Sequence, residues 1–314
     1  MDSPLLSSIS HMETFIELLH KGDLIGLPTE TVYGLAGNAL MDEAVLKIYA
    51  LKNRPSINPL IIHVDTLEKA QRYGVFDEIA LKVAQHFWPP SPSASSLTLV
   101  VPLQPHAAIS RYVTAGLDTI AIRIPHHPVA LDLLSHCDFP VAAPSANLST
   151  QLSPTKRAHI VFERIPVLDA GPCQIGIEST ILFGSTILRP GIVTASQIEK
   201  VIGKPVAYNK NSTTIQAPGM MKKHYSPATP IILNSLDYDL KTEALLGFGQ
   251  MSCTLNLSPR GDIHEAIHNL FSHLHLLDQQ GYTRIHVAPL PQDHELSLGL
   301  YDKLHRMVEK EEYI

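Results

Sequence analysis

Apolar and polar positions alternate in short blocks along most of this chain, and block length separates strands from helices. Residues 15–20 carry a helical period, and DLIGL at 23–27 follows as a short apolar strand. The same reading predicts helices over 42–51, 67–73, 78–87 and 128–135. Strands are predicted over 59–64, 97–101, 119–124 and 140–143, with β-rich pieces at 166–168, 179–183 and 186–188. Strands this close in sequence, mixed with helices, predict an α/β sheet that is not purely parallel. Around 207–229 the periodicity disappears into YNKNSTTIQAPGMMKKHYSPATP, the polar, turn-rich text of a linker. Beyond it, strands at 231–233, 253–257 and 284–287 alternate with helices at 241–246, 262–277 and 296–308. In the longest of these helices Ala266, Ile267, Leu270, Phe271, Leu274 and Leu277 form one apolar stripe. This second part reads as a small Rossmann-like three-layer unit without a GxGxxG fingerprint.

Composition changes this picture little. The 314 residues, 45% hydrophobic and 17% charged, suffice for two ordinary globular cores. A net charge of −6 argues against wholesale binding to nucleic acid or anionic membrane, while leaving room for a local basic site. No apolar run approaches the ~18 residues of a spanning helix. The N-terminal MDSPLLSSISHMETF lacks the pattern of a signal peptide, so a cytoplasmic location is expected. Cys137, Cys173 and Cys253 are odd in number and far apart, which fits neither a disulfide framework nor a CxxC metal site. His264, His268 and His275 share a face of the predicted helix, but no cysteine or carboxylate completes a ligand set; a solvated face is expected.

The densest chemistry lies in residues 27–63, LPTETVYGLAGNALMDEAVLKIYALKNRPSINPLIIH. The strand breaks at Pro28 into hydroxyls (Thr29, Thr31, Tyr33) and glycines (Gly34, Gly37). The helix that follows ends in Lys52 and Arg54 before Pro55, and a second strand begins at Leu60, beyond Asn58 and running to His63. Taken singly, these parts suit a turn or a helix end whose cations complement the dipole. Together they supply cations, small polar groups and permissive backbone where elements end. That is the chemistry needed to hold a polyanion beside a small polar substrate.

There is no P-loop, GxSxG elbow or HExxH here. The remaining candidates also sit at predicted strand or loop ends. Thr119 and Arg123 lie in LDTIAIRIPHHP, Ser145 and Asn147 in APSAN, and Ser153 and Thr155 in LSPT. Glu178, Ser179 and Thr180 lie in GIEST, and Arg189 in LRPG. Arg54, Arg123 and Arg189 each adjoin a proline-fixed turn, and the guanidinium fork matches carboxylate or phosphate. Ser153 suits either a helix N-cap or a ligand contact; Glu178 suits a strand-end charge or a site group.

PTETVYGL, KNRP with NPLIIH, AGLDTIAIRIPHHP, APSAN with LSPT, GIEST and LRPG occur in that order. This ordered set resembles the Sua5/YrdC family of threonylcarbamoyl-AMP synthases. The APGMMKKHYSP segment and the second domain resemble the two-domain Sua5 type, not the single-domain YrdC type. The resemblance runs from about residue 12 to 314. It implies a YrdC-like catalytic domain at 12–206, a linker or lid at 207–229 and a Rossmann-like C-terminal domain at 230–314. The implied fold is α/β, a twisted open mixed sheet with helices and a large positively charged cavity.

The resemblance further implies a nucleotidyltransferase that joins L-threonine, bicarbonate and ATP into L-threonylcarbamoyl-AMP, releasing pyrophosphate. Other proteins would transfer the threonylcarbamoyl group to the adenosine beside the anticodon of tRNA; weak tRNA contact and no membrane partner are expected. By motif position, Thr31, His63, Arg123 and Ser179 fall where the family holds threonine. Arg54, Asn58, Thr119, Ser145, Ser153 and Arg189 fall where it holds ATP. Lys52 is expected to line the same pocket and to act with Arg54 in catalysis. Tyr225 of HYSP matches a linker residue that folds back over the nucleotide. Mg²⁺ would accompany ATP, held mainly by its phosphates and not by a protein site.

The chain departs from the family pattern at two loops. WPPSPSASSLTL is longer than the usual Trp-Pro-Gly-Pro and lacks its glycine, and Asn147-Leu148-Ser149-Thr150 lacks the glycine of the family's Ser-Gly. An alternative function is a non-catalytic RNA-binding or regulatory protein of the same fold. The full threonine set speaks against it, since an RNA binder has no need of one.

Overall fold

The structure is a computed structural model that describes residues 4–91, 95–209, 217–218 and 225–308, with side chains from Met12 onward. A helix, α1 (Pro4–His20), leads into an antiparallel pair, β1 (Ile25–Leu27) and β2 (Gly34–Asn38). Next come α2 (Asp42–Lys52), β3 (Ile61–His63), α3 (Leu67–Gln71), α4 (Glu78–Phe87), β4 (Leu97–Pro102) and β5 (Thr119–Arg123). The elements α5 (Pro128–Ser135), β6 (Val141–Ala142), β7 (Thr180–Phe183), β8 (Thr186–Arg189), α6 (Ala195–Ile202) and β9 (Ala207–Tyr208) complete the first part.

These nine strands form one mixed sheet in the order β1-β2-β6-β3-β5-β4-β7-β8-β9. β3 runs parallel to β5 and β4 parallel to β7, while β4 and β5 are antiparallel. The expected mixed sheet is therefore observed. One face packs on α2 and α4 through a core that includes Tyr33, Ile48, Ile62, Phe87, Trp88 and Ile122. Helix α2 ends in a left-handed Asn53 (φ 50°), whose N–H and that of Arg54 close back on Ala50 and Tyr49 carbonyls. That stop fixes where Lys52 and Arg54 leave the helix.

The second part has a four-stranded parallel sheet, β10 (Ile231–Leu233), β13 (Ile285–Val287), β11 (Ala244–Gly247) and β12 (Leu255–Asn256), in that spatial order. It carries α7 (Ile263–Asp278) and α8 (Ser297–Val308). The predicted stripe of α7 is buried throughout, and Asp262 caps the helix by accepting from the N–H groups of His264 and Glu265. Each large apolar side chain so buried contributes about 1.5–3 kcal/mol.

Several sequence expectations are corrected. The helix predicted at 241–246 is strand β11; all four of its residues are buried between β13 and β12, so sheet pairing overrides the helical preference of Ala and Leu. The piece at 166–168 contributes a single bridge, Gly26 to Val167, and no strand. Strand β2, GLAGN, was hidden by its glycines. Gly34 is required there because an added Cβ would stand 3.0 Å from the Cβ of Ala143. Helix α6 was also unread, although Thr194 and Gln197 form a capping box at its start. The Ser153 hydroxyl caps no helix; the chain makes only a 3-10 turn at Arg157–His159. Of the linker predicted at 207–229, residues 210–216 and 219–224 lie outside the described residues, as do 92–94 of the 89–96 loop. At the other departure, Thr150 takes φ 71°, the left-handed conformation a glycine would adopt without strain.

Candidate active site

Strand register assembles the first part of the site. His63 pairs with Arg123 across β3 and β5, and Arg123 pairs with Thr98 across β5 and β4. Side chains therefore line up in a row at one end of the sheet. Thr98 Oγ1 lies 2.7 Å from Ser179 Oγ, which precedes β7. Arg189, at the end of β8, donates from Nε to the Ser179 carbonyl and from Nη2 to its hydroxyl, both at 3.1 Å.

Above this row the turn after β1 supplies acceptors. Arg123 Nη1 donates to Thr31 Oγ1 at 2.9 Å, and Nη2 forms a buried ion pair with Glu30. Thr29 Oγ1 holds the turn by donating to the Val32 carbonyl at 2.6 Å. Arg54 uses Nε and Nη2 on the carbonyl and side-chain oxygen of Asn58, at 3.0 and 2.7 Å, and reaches the Pro59 carbonyl. This locks the KNRP turn against the start of β3.

These groups line one partly open cavity. Thr31, Arg54, His63, Arg123, Ser145, Arg189 and Tyr225 of the expected set line it, joined by Glu178 and Pro218. Asn58, Ser153 and Ser179 stand behind the lining. Asn58 holds Arg54, Ser179 is held by Arg189, and the Ser153 hydroxyl donates to Glu178 Oε1. Thr119 does not join them. It lies on the same face of β5 as Arg123 but four residues back, about 13 Å along the strand.

Lys52 is the main correction. It does not line the cavity; it is buried beneath the APSAN turn, where its ammonium donates to the carbonyls of Ser145 and Asn147. Burial, with help from the Arg54 charge, holds its pKa well below the lysine range. Its role is thus to fix the turn that presents Ser145. Lys52→Met should lower unfolding stability by about 2–4 kcal/mol, because two buried carbonyls lose their donor. Urea melts of the two proteins check this, and an unchanged midpoint would contradict it.

Among the described residues, several buried polar atoms around the cavity have no partner: His63 Nδ1, Arg123 Nε, Glu30 Oε2 and Glu178 Oε2. Burial and the Arg123 charge push the His63 pKa down to about 3, so its ring is neutral at physiological pH and can offer a lone pair or an N–H. Burial lowers Arg54 to about 10, which leaves it cationic. Sequence reasoning missed Glu30 and under-weighted Glu178; PTET and GIEST place a carboxylate beside each candidate hydroxyl, but nothing local shows which one faces a cavity.

Of the three α7 histidines, His264 is exposed as expected, while His268 and His275 reach the first domain. His268 Nδ1 lies 2.9 Å from the Gln174 carbonyl, and His275 stacks on His159 at 3.8 Å with Nε2 3.1 Å from the Ser153 carbonyl. Both dock the second domain on the first. Among the described residues, no cluster of three or more His, Cys, Asp or Glu suits a metal ion, and no helix is long and apolar enough to cross a membrane.

Fold and cavity define a class: an open mixed sheet that presents arginines, hydroxyls and carboxylates to one cleft, with a parallel-sheet domain docked behind it. Residues 17–191 match the model of the Sua5, YciO and YrdC family described as telomere recombination, and residues 193–307 match the threonylcarbamoyl-AMP synthase C-terminal domain. The chain belongs to the Sua5 family of threonylcarbamoyl-AMP synthases. It is 44% identical to the threonylcarbamoyl-AMP synthase of Bacillus subtilis over 230 residues, 69% of this chain and 64% of that one. With the Pyrococcus abyssi enzyme of the same name it shares 34% identity, over 92% of this chain and 91% of the relative. The crystal structure of P. abyssi Sua5 complexed with L-threonine superposes with a TM-score of 0.84 at 32% identity, covering 95% of this chain and 94% of that one.

Proposed function

We propose that this chain synthesises L-threonylcarbamoyl-AMP from L-threonine, bicarbonate and ATP, and releases pyrophosphate. The carrying observation is the convergence on one cavity of Arg54, Arg123 and Arg189 with polar atoms of His63 and Glu178 that have no partner among the described residues. A zwitterionic amino acid and a polyphosphate together need that mixture of cations, donors and acceptors. In the first step the threonine amine takes up the carbon of bicarbonate, giving a carbamate and water. A carbamate oxygen then attacks the α-phosphorus of ATP, and the bond to the β-phosphate oxygen breaks as pyrophosphate leaves.

Neither step requires a protein nucleophile; positioning and neutralisation of charge carry the catalysis. In this reading Thr31, His63 and Arg123 bind threonine directly, and Ser179 of the same set supports that pocket from behind the lining, through Thr98 and Arg189. Arg54, Ser145, Arg189 and Tyr225 bind ATP, with Asn58 and Ser153 as supports for Arg54 and Glu178. Lys52 acts through the turn it holds. Thr119 stands apart from the cavity and is retained as a contact for the outer part of the nucleotide. Magnesium would be carried by the phosphates of ATP, where it would supply charge neutralisation, and Glu178 Oε2, without a partner among the described residues, would face it from the cavity wall. Residues 12–206 are the catalytic unit, 207–229 the connecting lid and 230–314 the accessory domain, and the product passes to proteins that modify tRNA.

The reading predicts pyrophosphate release only when threonine, bicarbonate, ATP and Mg²⁺ are all present. Release that does not depend on threonine would sink it.

A further inference from the structure

Helix α8 of the second domain carries a lysine to the wall of the cavity and buries it completely. Lys303 is 0% exposed. Its ammonium donates to the Pro190 carbonyl at 3.2 Å, pairs with Asp302 Oδ2 at 2.9 Å and lies 5.2 Å from the centre of the Tyr225 ring. Pro190 directly follows Arg189, and both Arg189 and Tyr225 line the cavity. Asp302 is itself braced by Arg306 Nε at 2.9 Å. The same helix meets the LRPG turn backbone to backbone: a Cβ on Gly299 would stand 3.0 Å from the Gly191 carbonyl oxygen.

An ammonium is a costly way to join two domains, because burying it forfeits hydration that apolar packing would not. The apolar seam is already there: Tyr225 packs with Phe271, 5.6 Å between ring centres, in one core with Val32, Leu152 and Ile177 of the first domain. A cation placed behind Arg189 and under Tyr225 does something that seam does not. It pins the carbonyl next to a phosphate-seeking arginine and gives the tyrosine face a cationic partner. Burial lowers its pKa, while Asp302 and Glu178 work to keep it charged.

We propose that Lys303 is a positioning residue of the nucleotide site, through which the C-terminal domain sets Arg189 and Tyr225 at the cavity. The proposal rests on the assignment of that cavity to ATP. It separates Lys303 from a simple domain tie, which would affect both substrates alike.

Two variants test it in the full-length chain. Lys303→Met keeps the chain length and removes the charge and its donors; Gly299→Val pushes α8 off the Gly191 turn with the lysine intact. Calorimetric titrations with ATP·Mg²⁺ and, separately, with L-threonine read the effect. Both variants should weaken ATP by about tenfold or more, the loss of one charge-assisted contact, and change threonine by less than about threefold. The KM for ATP should rise more than kcat falls. Unchanged ATP affinity in either variant overturns the proposal, as does an equal loss for both ligands. If Lys303→Met does not fold, Gly299→Val decides on the same criteria. A wild-type chain that binds threonine but no ATP would overturn the cavity assignment itself, and this inference with it.

Discussion

Arg54→Ala should weaken ATP binding by roughly 10- to 100-fold while the protein stays folded and still binds threonine. The guanidinium lines the cavity and is held by three oxygens of the Asn58–Pro59 turn, so it is pre-set for a ligand. A charge-assisted bond to phosphate contributes about 1.5–3 kcal/mol, which gives the range stated. Arg54→Lys should recover little of the loss, because a single ammonium cannot hold the turn and face a phosphate with one planar fork. Calorimetry with a non-hydrolysable ATP analogue measures both variants. Unchanged nucleotide affinity in Arg54→Ala would remove Arg54 from the site.

The second large effect is acid sensitivity. Burial holds both His63 and His159 at about 3 in the folded chain, against about 6.5 for a free histidine. Between those values the unfolded chain binds protons that the folded chain does not. Stability is therefore complete above pH 6.5 and falls as pH drops through this window. From pH 7 to 5 each histidine costs about 2 kcal/mol, and the pair about 4. The effect has a location, since His159 is the ring on which His275 of the second domain stacks. Urea midpoints at pH 7 and pH 5 should show the loss, and His159→Gln should flatten the dependence. Equal midpoints at the two pH values would contradict the buried neutral state of both rings.

Much of this site was legible because its groups sit where elements end beside prolines. Arg54 follows a helix stop, Arg123 closes a strand before Pro125, and Arg189 closes another before Pro190. Short motifs therefore announced them. What stayed hidden depends on contacts between segments far apart in sequence. The Glu30–Arg123 ion pair spans 93 residues, and Lys303 meets Pro190 across 113. Lys52 illustrates a subtler limit. The family resemblance implies a pocket-lining catalytic cation there, yet the register of APSAN against β2 puts two carbonyls over it and makes it a strut. Strand β2 and strand β11 were obscured for opposite reasons, one by glycines that make room for a neighbour and the other by residues that favour helices.

One cavity that joins threonine, bicarbonate and ATP must yield a mixed anhydride carrying parts of all three. Supplying ¹³C-bicarbonate with ATP, Mg²⁺ and L-threonine, then taking a mass spectrum of the neutral reaction mixture, tests it most directly. The expected product is an adenylate whose mass contains threonine and one ¹³C carbonyl, absent when L-threonine is omitted. Nucleotide products that carry neither threonine nor the labelled carbon would contradict it.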